Sequence, residues 1–196
     1  ICVGRTDELR EAGDYVVATI GDQSLVLTRD REDRVHAFHN TCRHRGSKLC
    51  TEPRGRFANG RIVCPYHAWS YGLGGELLTT PRMELPSDFR REEYPLYIAH
   101  LDSWGGFLFV NLSDTPASDL ASFLGDEAEQ VRRWPLADLV LVHREVSTLA
   151  CNWKVFWENY SECYHCPGIH PELCRIMPLY REGLQSYTDS RTGAPH

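Results

Sequence analysis

The chain has 196 residues, 42% of them hydrophobic and 24% charged, which fits an ordinary folded protein and excludes disorder and collagen-like repetition. Its 21 Lys and Arg against 27 Asp and Glu leave a net charge of −6, so the summed field repels polyanions and nucleic acid is not an expected partner. No apolar run reaches the roughly 18 residues of a membrane span, and the opening Ile-Cys-Val-Gly-Arg lacks a secretory signal, so a soluble, cytoplasmic protein with no membrane contact is expected.

From Asp14 to about Leu112 the pattern is one of short strands punctuated by turns. Residues 15–20 and 24–28 flank Gly21-Asp22, residues 69–73 and 76–78 flank Gly74-Gly75, and a last strand over 106–112 follows Trp104-Gly105. This predicts a small antiparallel β unit, closed by the polar linker Ser113-Asp114-Thr115-Pro116. Beyond it, Leu120, Phe123, Leu124, Ala128 and Val131 fall at helical spacing behind Ser118, a suitable N-cap, with Gly125 weakening the helix. A strand over 139–142 and an aromatic-rich helix over 153–164 are expected next. The fold class is α+β, divided at residues 1–116 and 117–196. Position 1 is Ile and the chain stops at Pro195-His196 without a terminal signal, so it reads as a segment of a longer protein.

Eight Cys beside nine His, without a secretion signal, favour metal or redox chemistry over a disulfide framework. Cys42-Arg43-His44 and, twenty residues after His44, Cys64-Pro65-Tyr66-His67 form paired loops. Each can place one thiolate and one imidazole at a shared centre, with Gly46 and Pro65 as tight backbone around it. Zinc would take all four side chains in a tetrahedron. A Rieske [2Fe-2S] centre would take the two Cys on one iron and the two His on the other. The mixed Cys/His order within each loop favours the Rieske centre. Around it, Arg43, Arg45, Lys48, Arg54, Arg56 and Arg61 face one acid, Glu52: either a solvated loop face or a basic field that stabilises a reduced cluster and attracts an acidic electron donor. Cys2, Cys50, Cys151 and Cys174 read as buried small hydrophobes.

Cys42-Arg43-His44-Arg45-Gly46 with Cys64-Pro65-Tyr66-His67-Ala68-Trp69 closely resembles the Rieske motif of the α subunit of Rieske non-haem iron oxygenases. The resemblance implies a small antiparallel β Rieske domain followed by the start of an α+β catalytic domain. It also implies a Rieske cluster held by Cys42, His44, Cys64 and His67.

Residues 152–165 read as a helix whose one face carries Glu158, Glu162 and His165, since each residue advances by about 100°. His170 would point about 140° away from His165 if that helix continued. Pro167-Gly168 is expected to break it and let His170 turn back, while Pro171 suits the first position of a new helix. Two imidazoles and a carboxylate on one face of an iron make the facial triad of Fe(II) oxygenases. Zinc held by Cys163, His165, Cys166 and His170 is the competing reading. The aromatics Trp153, Phe156, Trp157, Tyr160 and Tyr164 read as core.

The same segment, 158–170, looks like the mononuclear-iron motif of that family. By resemblance His165 and His170 are iron ligands, Asn159 lies beside the iron, and Glu162 bridges to a cluster-ligating His of a neighbouring subunit. The family's third ligand, a carboxylate, comes from much farther along; Glu172, Glu182 and Asp189 are too early to match it. The implied partners are a ferredoxin or flavin reductase, O2, a small organic substrate and other subunits, as a homotrimer or α3β3. Glu162-Cys163-Tyr164-His165-Cys166 followed by His170-Pro171-Glu172-Leu173 resembles the branch acting on quaternary ammonium compounds rather than arenes. A pure electron-transfer Rieske protein and a zinc-binding module are the alternative functions.

Overall fold

The computed structural model describes residues 1–182, which fall into two compact units adjoining in sequence at Arg144 and Glu145. Asp189 lies outside the described residues. The first unit is built of three antiparallel sheets. One has the order β1 (Cys2–Arg5), β10 (Phe107–Asn111), β9 (His100–Trp104). The second runs β4 (Val35–His39), β3 (Gln23–Arg29), β2 (Asp14–Ile20), β5 (Arg54–Arg56). The third runs β6 (Arg61–Val63), β7 (Ser70–Gly72), β8 (Leu77–Thr79).

The β2–β3 hairpin pairs Tyr15 with Thr28 through to Ile20 with Gln23. Gly21, at φ +59, takes the left-handed first position that such a two-residue turn needs. Successive side chains on β3 face opposite ways. Val26 therefore joins Phe38, Ile62, Trp69 and Tyr71 in one core, while Leu25 and Leu27 join Leu9, Leu108 and Val110 in another. The β3–β4 ribbon divides the two cores, and the first of them carries Cys42 and Cys64. At the β7–β8 turn, Gly75 (φ +90) lies where a Cβ would come within 2.5 Å of the Phe38 ring. The hairpin tip thus seals this core as only Gly allows.

After β10 the expected helix is split. Asp119, rather than Ser118, caps α1 (Leu120–Leu124) by accepting the Ser122 N–H, and Gly125 at φ +52 ends it before α2 (Glu127–Gln130). The expected strand over 139–142 does not form, because its backbone is satisfied by side chains of the β1 turn instead of a ladder. Arg5, itself 7% exposed, donates to the Leu136 and Leu139 carbonyls. Asp7 accepts the Leu141 N–H at 2.9 Å, and Glu8 accepts the Arg144 guanidinium at 2.9 Å through both oxygens.

In the second unit α3 (Trp153–Ser161) is capped by Asn152, whose side chain accepts the Lys154 N–H. The helix stops four residues before His165, since Glu162 adopts extended backbone (φ −108, ψ 131). Pro167 does not break a helix but opens one, standing in the first turn of α4 (Cys166–Ile169), where its missing N–H costs nothing. Pro171 starts α5 (Pro171–Ile176) as expected. The α3 aromatics are not core here: Trp153 is 66% and Tyr160 69% exposed, with no apolar layer over them among the described residues. Cys2 and Cys151 are exposed, while Cys50 and Cys174 are buried as expected. No helix of the described residues is long and apolar enough to cross a membrane.

Candidate metal centres

The two Cys/His loops are the same bend made twice. In the first, the Cys42 N–H donates to the Ser47 carbonyl (2.8 Å) and the Gly46 N–H to the Cys42 carbonyl (3.0 Å). In the second, Cys64 donates to Trp69 (2.8 Å) and Ala68 to Cys64 (3.0 Å). The fourth residue after each Cys is left-handed, Gly46 at φ +69 and Ala68 at φ +58. Asn40, 2% exposed, closes the base of the first bend. Its amide donates to the Cys50 carbonyl and its oxygen accepts the Leu49 and Cys50 N–H groups.

Both cysteines lie at the dry base of this arrangement, each 2% exposed. The imidazoles form its rim: His44 is half-buried and His67 exposed, their ring centres 4.8 Å apart. The His44 ring stacks on the Trp69 indole at 4.8 Å and 7°, and Trp69 is fixed by its N–H to the Met83 sulfur. The His44 Nδ1 atom is buried and has no hydrogen-bond partner, the condition of a nitrogen reserved for a ligand.

The electrostatics suit neutral imidazole beside protected thiol. Burial first, then the nearby His67 and Arg45, hold His44 toward its neutral form. Burial likewise pushes the Cys42 thiol up, against an opposing contact from the Tyr71 hydroxyl. That hydroxyl, driven upward mainly by burial, keeps its proton. It lies 3.2 Å from the Cys42 sulfur while accepting the Arg43 N–H at 3.1 Å. Metal binding must therefore expel a proton from Cys42.

Among the described residues no three or more His, Cys, Asp or Glu side chains are grouped to hold one metal ion. A Rieske cluster asks for two sulfur donors on one iron and two nitrogen donors on the other. The pair of buried thiols below, the pair of imidazoles above and the orphaned Nδ1 fit that demand. The basic stretch is less free than a solvated face. The Arg43 guanidinium donates to the Pro95 and Glu93 carbonyls and lies 4.1 Å from the Tyr97 ring centre. Arg56 pairs with Glu11 and Asp14, and Arg54 with Glu8.

In the second unit His165 and His170 cap the successive helices α4 and α5, and their ring centres lie 5.3 Å apart. The helix ending at Ser161 frees Glu162 to fold back on His165. One carboxylate oxygen accepts the His165 backbone N–H at 3.1 Å, and the other meets ring Nδ1 at 2.9 Å. Hydrogen bonding to His165 holds the Glu162 carboxyl below its ordinary range. With Nδ1 engaged, Nε2 is the ring atom left to ligate, the arrangement of a carboxylate–histidine–metal set. Asn159 lies on the last turn of α3, three residues before Glu162.

Residues 1–92 match the Rieske [2Fe-2S] domain family, and residues 135–196 match the catalytic domain of the ring hydroxylating alpha subunit family. The chain is 39% identical over 178 residues to the glycine betaine monooxygenase oxygenase subunit of Chromohalobacter salexigens, covering 91% of this chain and 39% of that protein. It is 37% identical over 172 residues to the carnitine monooxygenase oxygenase subunit of Escherichia coli K12, covering 87% and 46%. It superposes with a TM-score of 0.80 on a quaternary ammonium Rieske monooxygenase in complex with L-carnitine, at 32% identity over 89% of this chain and 49% of that one. The chain thus spans less than half the length of these relatives.

Proposed function

The chain belongs to the α-subunit family of Rieske non-haem iron oxygenases, and from that premise we propose that it is part of a terminal oxygenase component inserting oxygen from O2 into an organic substrate. When bound, the Rieske cluster supplies single electrons and the mononuclear Fe(II) supplies open positions for O2. The reaction is hydroxylation or oxidative demethylation, with a quaternary ammonium compound favoured by the named activities of the relatives. A ferredoxin or flavin reductase carrying NAD(P)H-derived electrons is the donor. The assembly is a cytoplasmic homotrimer or α3β3.

In this assignment Cys42 and Cys64 hold one cluster iron from below, and His44 and His67 hold the other at the rim. His165 and His170 hold the mononuclear iron, with its carboxylate ligand from outside the described residues. Residues 1–116 form the Rieske domain and residues 117–196 belong to the catalytic domain. Glu162 orients His165 through Nδ1 and, in the assembly, links it to a cluster imidazole of the neighbouring subunit, with Asn159 beside the iron. The observation that carries the reading is the duplicated bend, which gathers two buried sulfurs beneath two imidazoles.

Iron, sulfide and zinc analysis of the full-length protein tests it. About three irons and two sulfides per chain are expected; two and two would mean a pure electron carrier, and zinc alone an interaction module. Glu162→Gln keeps the shape and removes the charge. It should leave both centres loaded and slow turnover, and undiminished steady-state oxygenation would remove the bridging role.

A further inference from the structure

Two thiols bracket His165 and are not needed by either centre. The Cys166 N–H donates to the Cys163 carbonyl at 3.1 Å, closing a four-residue turn through Tyr164 and His165. Such a turn brings its end Cα atoms within about 7 Å, overlapping the range of roughly 4.4 to 6.8 Å that a disulfide spans. Both cysteines are free. Their exposures differ: Cys166 is 5% exposed in the first turn of α4, whereas Cys163 is partly open to solvent. Cys174, the third thiol nearby, is buried on α5.

We infer that Cys163 and Cys166 form a peroxide-reactive dithiol that closes to a reversible disulfide around His165. The accessible Cys163 thiol attacks hydrogen peroxide, breaking its O–O bond to give the sulfenic acid and one water. The sheltered Cys166 thiol then displaces hydroxide from that sulfur, forming the S–S bond and releasing a second water. Two thiols are oxidised by two electrons and one peroxide is reduced to two waters. A dithiol reductant returns the pair by exchange. Because a closed four-residue turn brings its ends into the range a disulfide spans, closure asks little movement of the His165 backbone. Only the local source of peroxide, O2 chemistry beside His165, rests on the function proposed above; the thiol chemistry does not.

The test reads mass, independently of turnover. Full-length holoenzyme is treated with an equimolar amount of hydrogen peroxide, denatured, alkylated and digested with trypsin. The peptide 155–175 contains Cys163, Cys166 and Cys174. Loss of two of its three alkylatable thiols is expected, with fragment ions placing the bridge between Cys163 and Cys166, and dithiothreitol restoring all three. Cys166→Ser should drive Cys163 on to the sulfinic acid, whereas Cys163→Ser should leave Cys166 alkylatable. Three alkylated thiols after peroxide, a bridge that includes Cys174, or a sulfinic acid at Cys163 in the unsubstituted protein would each overturn the inference. Failure of the proposed function would show instead in the iron and sulfide content.

Discussion

The Tyr71 hydroxyl lies 3.2 Å from the Cys42 sulfur and also accepts the Arg43 N–H; once that sulfur is a metal-bound thiolate with no proton of its own, the hydroxyl is the donor of the pair. A hydrogen bond to a cluster thiolate stabilises the reduced form, which carries one more negative charge. Tyr71→Phe should retain the cluster and lower its reduction potential by about 50 mV, since a bond worth roughly 1 kcal/mol corresponds to that shift for one electron. Redox titration followed by visible or EPR spectra measures this; an unmoved midpoint would mean the proton lies elsewhere.

The duplicated bend places Gly at its left-handed position once and Ala once. Gly46 has open space around it, so Gly46→Ala meets only the backbone cost of φ +69, about 1 kcal/mol. Ala68 already bears that cost at φ +58. Ala68→Gly should therefore be neutral or stabilising by up to about 1 kcal/mol, the relief being partly offset by a freer unfolded chain. Chemical denaturation of the two variants should displace the midpoint in opposite directions or leave Ala68→Gly unmoved; a large loss in Ala68→Gly would contradict the account.

Asp30 contributes to the acid limb of stability. Burial pushes its carboxyl up, but the hydrogen bonds from His36, the Arg34 backbone and the Arg34 guanidinium more than offset this and bring it from 3.8 to about 2. A depressed folded-state carboxyl stabilises fully above the unfolded value and loses that contribution as pH falls through the folded one. Between about pH 4 and pH 2 the protein should lose on the order of 2 kcal/mol through this group. In Asp30→Asn that part of the acid-induced loss should vanish, with lower stability at neutral pH. Parallel curves for the two proteins in urea titrations across this interval would refute it.

Removing the Arg5 fork should release the segment it holds. Arg5→Ala deletes the donors to the Leu136 and Leu139 carbonyls and the ion pair with Asp7. A loss of about 2 to 4 kcal/mol is expected. The Leu141 amide, which donates to Asp7, should exchange its hydrogen much faster, and native-like protection there would show that the fork is dispensable.

The strands and the duplicated Cys/His motif were legible because alternation and Gly turns are local signals, as in residues 15–20 and 24–28 around Gly21. The helix end at Ser161 was not. Residues 152–165 satisfy a helical period throughout, yet Glu162 leaves it to take the N–H and ring of His165 three residues on, a local side-chain choice that period alone does not record. Pro167 marks a boundary but stands on its far side, opening a helix rather than closing one, since Pro suits a first turn as well as it ends a last one. The missing strand over 139–142 has a long-range origin instead, in side chains of Arg5, Asp7 and Glu8 more than 130 residues away. Asn40 and Tyr71 carried no motif of their own. Only their place beneath the two Cys marks them, although a polar residue two positions before a ligand in a buried stretch is a usable hint. The left-handed Ala68 had no signal, because only Gly advertises that conformation.

Because one backbone shape is used on both sides of the centre, scaffold and chemistry are separable. The imidazole sits two residues after the sulfur in one copy and three in the other, so the donor inventory is a property of side-chain placement on a fixed frame. An engineer could exchange His44 or His67 for a third thiol and expect the bends to close as before, turning one protein into a series of centres that differ in voltage but not in architecture.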